Sequence, residues 1–289
     1  MREIRVGDVT ITSIVEREGP WRRPQDMFLN YDAAVGAEHL RTIDPVSFDA
    51  ASGKMFITYQ TFVVRTPHHV ILVDTCTGED KGYPAPMDFD KSPWVAGFKA
   101  AGLTYDDVDY VFCTHLHIDH CGWNTVLRDG RWVPTFPKAK YVFAGKEYLA
   151  WEAAEQAGDP RGNVFRMNCR PIVEAGQALL VDDDYMLDDL VSLTPTPGHS
   201  PHHCCVNIFS KGQRAVVTGD MMHHALQCRE PEMSTIFCTD PVQAAASRRG
   251  FLESVADTDT IILPIHFPAP TAGRIEGDGT RFHYRYRHK

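Results

Sequence analysis

The 289-residue chain is 43% hydrophobic and 23% charged, an ordinary composition for a soluble globular protein. Its formal net charge of −9 argues against a nucleic-acid partner, because binding a phosphate backbone needs a basic surface. No apolar run approaches the roughly 20 residues of a membrane helix, and the amino terminus lacks the features of a secretory signal, so we expect no membrane contact.

The amino-terminal part of the chain predicts a strand or hairpin over residues 6–16, followed by an irregular segment over 19–51 that is rich in Pro, Gly, Asp and Met. We expect residues 1–55 to contribute this strand and a segment that shapes a substrate pocket. Several large apolar side chains either line that pocket or belong to the ordinary core: Trp21, Met27, Phe28 and Trp123.

The middle and carboxy-terminal parts predict strands that alternate with helices. Residues 56–66 and 70–74 predict a hairpin whose turn leaves His68 and His69 in solvent. Further strands are predicted over 109–114, 139–144, 191–194, 204–209, 214–218 and 260–264, and helices over 94–101, 146–156 and 240–256, with a short helix within 158–176. This order predicts an α+β or α/β layered domain.

Three imidazoles and a carboxylate follow the strand at 109–114, in the run Thr-His-Leu-His-Ile-Asp-His over residues 114–120. His115, His117, Asp119 and His120 are the ligand types that divalent metals such as zinc prefer. Catalytic groups are common where a strand passes into a loop. The sequence therefore predicts a metal site here, against the alternative of a His-rich solvated loop.

Three later strand ends carry further candidate ligands: His199 after Thr-Pro-Thr-Pro-Gly, Asp220 after Thr-Gly, and His266 after Ile-Ile-Leu-Pro-Ile. A single strand-end His is usually a hydrogen-bonded structural residue, but an ordered series of four clusters favours a shared metal centre. Because these ligands run from residue 115 to residue 266, we treat residues 1–289 as a single domain.

These motifs resemble those of the metallo-β-lactamase superfamily over roughly residues 56–266. The resemblance implies an αββα sandwich of two mixed β-sheets flanked by helices. It implies two divalent metal ions, the first held by His115, His117 and His199 and the second by Asp119, His120 and His266, with Asp220 as the bridge. Zinc is the expected ion, with iron, manganese or cobalt as alternatives. Cys121, beside His120, is not expected to be a ligand, because the two sites are already complete.

Two bridged ions can trap a hydroxide and clamp an oxyanion, which is hydrolytic chemistry. His117 stands where redox di-iron relatives carry Glu, and Asp220 where the β-lactamases carry Cys. The sequence around Asp220 and His266 resembles the branch of the N-acyl homoserine lactonases and methyl parathion hydrolase. His223 stands where the lactonases carry a Tyr that contacts the substrate carbonyl, so it either acts on the substrate or supports the ligands.

We therefore expect a hydrolase that opens a lactone or cleaves a carboxylic ester, with Asp119, Asp220 and His223 as catalytic residues. The alternatives are a glyoxalase II-like thioesterase, a phosphotriesterase, and a metal-binding scaffold without turnover. Asp74 is expected to orient a ligand His or to cap a turn, and His202 and His203 to be orienting or surface residues.

The eight cysteines form no Cys-x-x-Cys pair, which predicts reduced, mostly buried thiols in a cytoplasmic protein. The expected partner is a small-molecule ester or lactone, and a homodimer is left open.

Overall fold

A computed structural model describes residues 3–288 of the chain, and within that range it contains 17 strands and eight α-helices. The strands are β1 (Ile4–Val6), β2 (Val9–Arg22), β3 (Phe48–Asp49), β4 (Lys54–Arg65), β5 (Val70–Val73), β6 (Tyr110–Phe112), β7 (Thr125–Arg128), β8 (Arg131–Pro134), β9 (Lys140–Ala144), β10 (Ala178–Val181), β11 (Met186–Leu187), β12 (Val191–Pro195), β13 (Cys204–Ser210), β14 (Gln213–Val217), β15 (Ile261–Leu263), β16 (Gly273–Gly277) and β17 (Phe282–Tyr286). The helices are α1 (Pro24–Met27), α2 (Ala33–Leu40), α3 (Ser92–Ala100), α4 (Gly145–Gln156), α5 (Gly162–Asn168), α6 (Arg170–Glu174), α7 (Leu226–Arg229) and α8 (Pro241–Val255).

Two mixed sheets contain most of the strands. The first has eight strands in the order β1-β2-β4-β5-β6-β9-β10, with β3 paired to β4. The second has seven strands in the order β11-β12-β13-β14-β15-β16-β17, and β7 and β8 form a separate ribbon. The predicted hairpin is confirmed, because β4 and β5 pair antiparallel with Arg65 opposite Val70.

The contacts within the chain divide it into two compact units, which we name by their place in the sequence. The central unit comprises residues 8–17 and 59–185. Its core is rich in aromatic side chains: the Trp94 ring stacks on Trp123 at a centroid distance of 4.5 Å and on Phe98 at 5.0 Å. The buried strand β6 runs through this unit between β5 and β9, parallel to both.

The terminal unit comprises residues 3–7, 18–58 and 186–288. Its core includes Val216, Leu252, Ile262 and Phe267, contributed by β14, α8, β15 and the segment after β15. Strands β14 and β15 pair in parallel, so both point in the same direction at the edge where they end. The prediction that residues 1–289 act as a single domain stays a prediction.

The segment predicted to be irregular is more ordered than its composition indicates. Strand β2 continues to Arg22, and helices α1 and α2 follow. Pro24 stands at the first position of α1, and the Asp32 carboxylate caps α2 by accepting hydrogen bonds from the N–H groups of Ala34 and Val35. These short helices escape a periodicity argument because α1 is only one turn long and α2 about two.

Among the described residues, no helix is both long and apolar enough to cross a membrane.

Candidate metal centre

The central unit gathers its four candidate ligands in one loop directly after β6. The His115 ring lies 4.5 Å from that of His117 and 4.1 Å from that of His120, measured between centroids. Asp119 Oδ1 lies 3.6 Å from His120 Nε2. His115 and His120 are fully buried, whereas His117 and Asp119 are half-buried. A six-residue stretch thus brings three imidazoles and a carboxylate together.

A buried carboxylate, Asp74, orients this loop. It follows β5 in the left-handed region, at φ +55°, and accepts hydrogen bonds from His120 Nδ1 at 2.7 Å and from the Thr114 hydroxyl and N–H at 2.8 Å each. Because the Thr114 hydroxyl proton goes to Asp74, its oxygen accepts the Nδ1–H of His115, 3.1 Å away. In their neutral form both imidazoles therefore carry the proton on Nδ1 and can offer the Nε2 lone pair to a metal. Asp74 orients a candidate ligand rather than capping a turn alone.

A second buried carboxylate, Glu16, holds the end of the ligand loop. It accepts hydrogen bonds from Thr77 Oγ1 at 2.6 Å, Thr77 N at 3.1 Å, Gly78 N at 3.3 Å and Trp123 Nε1 at 2.8 Å. Burial raises the pKa of the Glu16 carboxyl. A Cβ on Gly122 would stand 2.0 Å from the Thr77 carbonyl carbon, so only glycine fits where the loop leaves the site.

Cys121 and Trp123 have structural contacts in this unit. The Cys121 thiol donates to the His117 carbonyl oxygen at 3.2 Å. Trp123 is buried in the aromatic core, so of the two alternatives it belongs to the core and not to a pocket. In the terminal unit, Met27 and Phe28 are also buried, at 3% exposure each, and Trp21 is exposed.

The terminal unit brings its candidate ligands together through the register of parallel strands. Val217 of β14 pairs with Leu263 of β15, and Asp220 and His266 each stand three residues beyond the paired residue. Equal offsets place the two side chains side by side, and His266 Nε2 lies 2.9 Å from Asp220 Oδ1.

His199 reaches the same carboxylate from the loop after β12. Its Nε2 lies 3.0 Å from Asp220 Oδ2. The preceding Gly198 has φ +126°, and a Cβ there would stand 2.1 Å from Ala244 N, at the start of α8. Glycine is therefore required for the sharp turn that presents His199.

His223 is the third imidazole at Asp220, with Nε2 3.1 Å from Oδ2. The backbone N–H of His223 donates to Gln227 Oε1 at 2.7 Å, and its ring stacks on that of His266 with 5.2 Å between the centroids. Among the described residues, its buried Nδ1 has no hydrogen-bond partner. Donor atoms of Asp220, His223 and His266 lie within 4.8 Å of one another, so His223 is also within reach of an ion bound there.

The donor set of the terminal unit fits a divalent metal ion. Three imidazole nitrogens lie 2.9–3.1 Å from the oxygens of one buried carboxylate. Ligand atoms about 2.0–2.2 Å from a zinc ion lie roughly 3–3.5 Å from one another, which is a similar spacing. His266 Nδ1 donates to the Thr58 carbonyl oxygen at 2.8 Å, which leaves Nε2 bare for an ion.

The pKa values of two of the imidazoles at Asp220 are shifted in opposite directions. Burial lowers the pKa of His199, but the charge of Asp220 and the hydrogen bond to it outweigh burial and raise that pKa to about 9. Burial lowers the pKa of His223 to about 3, so this imidazole is neutral.

Sequence reasoning missed two side chains around Asp220 and left a third undecided. His203, undecided between an orienting and a surface role, is fully buried and accepts the Asp220 N–H at 3.0 Å, whereas His202 is half-exposed. Cys238 Sγ lies 3.7 Å from His199 Nδ1, and Arg248 of α8 donates to the Met221 carbonyl oxygen. No local pattern marks Cys238 or Arg248, because their contacts come from distant parts of the chain.

The family model described as the metallo-beta-lactamase superfamily matches residues 57–266. The chain belongs to the metallo-β-lactamase superfamily. No curated protein matches the chain closely enough to be reported.

Several solved structures resemble this superfamily member over their full length. The hydrolase AbOPH has a TM-score of 0.83 at 21% identity, covering 99% of this chain and 97% of that one. AidC, described as a dizinc quorum-quenching lactonase in complex with the product N-hexnoyl-L-homoserine, has a TM-score of 0.81 at 19% identity, covering 100% and 97%. A probable metal-dependent hydrolase from Staphylococcus aureus has a TM-score of 0.77 at 18% identity, covering 99% of each chain.

At 18–21% identity, the likeness to these solved structures shows a shared fold and not a shared substrate. The prediction of a metallo-β-lactamase αββα fold with mixed sheets flanked by helices is confirmed. The structural neighbours include homoserine lactonases, which is a likeness of fold, and the assignment to their branch stays a prediction.

Proposed function

We propose that this protein is a dinuclear metal hydrolase that opens a lactone or cleaves a carboxylic ester. The observation that carries the proposal is the convergence of three imidazoles on one buried carboxylate, Asp220, in a chain that also presents the His-x-His-x-Asp-His loop. We assign His115, His117 and His199 to one ion, Asp119, His120 and His266 to the other, and Asp220 to both. Zinc fits these nitrogen and oxygen ligands best.

When bound, two divalent ions supply Lewis acidity and lower the pKa of water enough to make hydroxide available at neutral pH. The protein's own residues set the tautomer of the proposed ligands. Asp74 and the Thr58 carbonyl accept the Nδ1–H groups of His120 and His266, so that each Nε2 can offer its lone pair to an ion. Catalysis then needs no serine or cysteine nucleophile.

We assign His223 to the substrate. It is neutral, and its Nδ1 has no hydrogen-bond partner within the described part of the chain. Its single proton, which Nε2 donates to Asp220 here, would sit on Nδ1 when the Asp220 oxygens bind ions. From Nδ1 the neutral imidazole can donate a hydrogen bond to a carbonyl oxygen or pass a proton to a leaving alkoxide. Because the lactonases carry a phenol here, this difference favours lactones or esters other than the N-acyl homoserine lactones.

An exposed apolar surface in the terminal unit favours a substrate with an apolar group. Trp21, Leu29, Ile236 and Phe237 are 37–51% exposed. Backbone hydrogen bonds join residues 27–29 to 234–236, and the Arg22 guanidinium beside Trp21 lies over the Phe237 ring. One end of this segment lies beside a candidate ligand, because Cys238 directly follows Phe237 and contacts His199. The AidC complex holds an N-hexnoyl product, an apolar chain of this kind.

Purified protein tests the proposal through metal analysis and a substrate panel. We expect about two ions per chain and hydrolysis of lactones and aryl esters, improving as the acyl chain lengthens. Activity should be lost with a chelator and return with Zn²⁺. The panel includes a thioester and a phosphotriester, and Asp220→Asn serves as the inactive control. Folded protein that was never exposed to chelator yet holds no metal, or turnover of the thioester or phosphotriester alone, would contradict the proposal.

Seven of the eight cysteines are buried, and none forms a disulfide among the described residues. We propose a reducing, cytoplasmic location, in which such thiols persist. The homodimer stays a prediction.

A further inference from the structure

The turn that presents Asp220 is held at both ends by side chains that are not predicted ligands. The turn spans Gly219–Met221 and is buried. The Asp220 N–H donates to His203 Nε2 at 3.0 Å, and the Met221 carbonyl accepts from Arg248 Nη1 at 2.8 Å. His203 and Arg248 are 0% and 1% exposed.

The contacts of His203 define its tautomer. Because Nε2 accepts the Asp220 N–H, the ring proton is on Nδ1, which lies 2.8 Å from Thr196 Oγ1. Thr196 Oγ1 in turn lies 3.4 Å from Cys205 Sγ. His203 is therefore a neutral imidazole with both nitrogens engaged, fixed between β12 and the Asp220 turn.

Arg248 places a buried positive charge among neutral acceptors. Its guanidinium donates to the carbonyl oxygens of Met221, Pro231 and Met233 and to Ser234 Oγ, at 2.8–3.0 Å, and it has no carboxylate partner among residues 3–288. Burial lowers its pKa to about 10. Burying a charge without a counter-ion is costly, so a side chain that served only to fill this space would be apolar.

The Arg248 guanidinium is also linked to His223 through a shared carbonyl oxygen and the Gln227 side chain. The Met233 carbonyl that accepts from Arg248 also accepts from Gln227 Nε2 at 2.8 Å. Gln227 Oε1 in turn accepts the His223 N–H at 2.7 Å. Arg248 thus connects the turn of Asp220 with the segment that presents His223.

We propose that His203 and Arg248 are positioning residues that hold the Asp220 carboxylate in place for metal binding. The proposal rests on the function proposed above, because it takes Asp220 as a metal ligand. The carboxylate has three imidazole nitrogens within 3.1 Å, so a small rotation of its turn would break several ligand contacts at once. Removing such outer partners of metal ligands typically lowers metal affinity by about 10–100-fold.

Cobalt binding tests the proposal independently of catalysis. Metal-free protein is titrated with Co²⁺ against a competing chelator, and the visible absorption of the bound ion reports its coordination. His203→Leu and Arg248→Met should lower the affinity for at least one ion by about 10–100-fold and change that spectrum. His203→Gln should restore most of the affinity, because its Oε1 can take the place of Nε2. His202→Leu, the matched control at the half-exposed neighbour, should bind like the wild type.

Wild-type affinity in both His203→Leu and Arg248→Met would overturn the proposal, as would equal losses in His203→Leu and His203→Gln. If the Leu or Met variant does not fold, His203→Asn and Arg248→Lys take their places. Asn can keep the Thr196 contact but is too short for the Asp220 N–H, and Lys cannot satisfy all four acceptors. Reduced affinity is therefore again expected, and wild-type affinity again overturns the proposal.

Normal cobalt affinity in variants of an active hydrolase would refute only the positioning roles. Reduced affinity in variants of a wild type that hydrolyses nothing would refute only the proposed reaction.

Discussion

The two units present their candidate ligands in opposite ways. The central unit draws four of them from one loop, and buried carboxylates support that loop: Asp74 accepts from His120, and Glu16 holds the segment beyond it. The terminal unit draws its ligands from separate strand ends around one carboxylate, supported by the imidazole of His203 and the guanidinium of Arg248. An imidazole ligand is oriented by an acceptor for its Nδ1–H group. A carboxylate ligand on a turn is instead oriented by hydrogen bonds to the N–H and carbonyl groups of that turn.

The largest effect is expected at the carboxylate of the terminal unit. Asp220→Ala should release at least one ion and lower kcat/KM by about 10³-fold or more, because the lost charge stabilisation is worth several kcal/mol. Asp220→Asn keeps the shape without the charge, so it should retain more metal than Ala but turn over poorly. Metal analysis and kinetics on the same preparations check this, with Asp188→Asn at an exposed carboxylate as the control. Wild-type-like activity in both Asp220 variants would show that Asp220 is not the bridge.

A smaller effect is expected at His223, and it separates substrate contact from metal binding. His223→Ala should keep its full metal content while kcat falls by about 10²–10³-fold, the usual result of losing one oxyanion donor. His223→Tyr should recover part of the loss and shift preference towards homoserine lactones. Because His223 is also close to Asp220 and His266, loss of an ion in His223→Ala would instead identify it as a ligand. An unchanged kcat would refute both roles.

The central unit should respond to the loss of a supporting charge. Asp74→Asn keeps the size of the side chain but weakens acceptance from His120 Nδ1, so metal affinity should fall by about 10–100-fold. Competition with a chelator measures the change, and Asp106→Asn, at an exposed carboxylate, serves as the control. If Asp74→Asn bound both ions as tightly as the wild type, the carboxylate would not set the affinity of the loop.

The smallest effect is expected at a histidine outside both ligand sets. His68 is exposed in the turn between β4 and β5, and only its backbone N–H bonds to Thr66. His68→Ala should change the free energy of unfolding by no more than about 0.5 kcal/mol and leave metal content and activity unchanged. Chemical denaturation and metal analysis check this, and a loss of metal would show that the ligand assignment is incomplete.

The sequence by itself determined the ligand loop of the central unit, the order of the later strand ends and the family. Three imidazoles and a carboxylate within six residues stay close in any conformation, so their chemistry can be read before the fold is known. The same local logic holds for α8, where the Asp240 carboxylate caps the helix and Pro241 is its first residue. It fails at α3, which already begins at Ser92 and has no side-chain cap.

Only the tertiary structure decided what surrounds Asp220. The pairing of Val217 with Leu263 places Asp220 beside His266, and no local pattern encodes that register. The positioning roles proposed for His203 and Arg248 rest on their contacts with the Gly219–Met221 turn, which only the fold creates. The physical reason is that neighbours along the chain are held together by covalent bonds, whereas contacts between distant residues depend on strand pairing and on burial of the whole core.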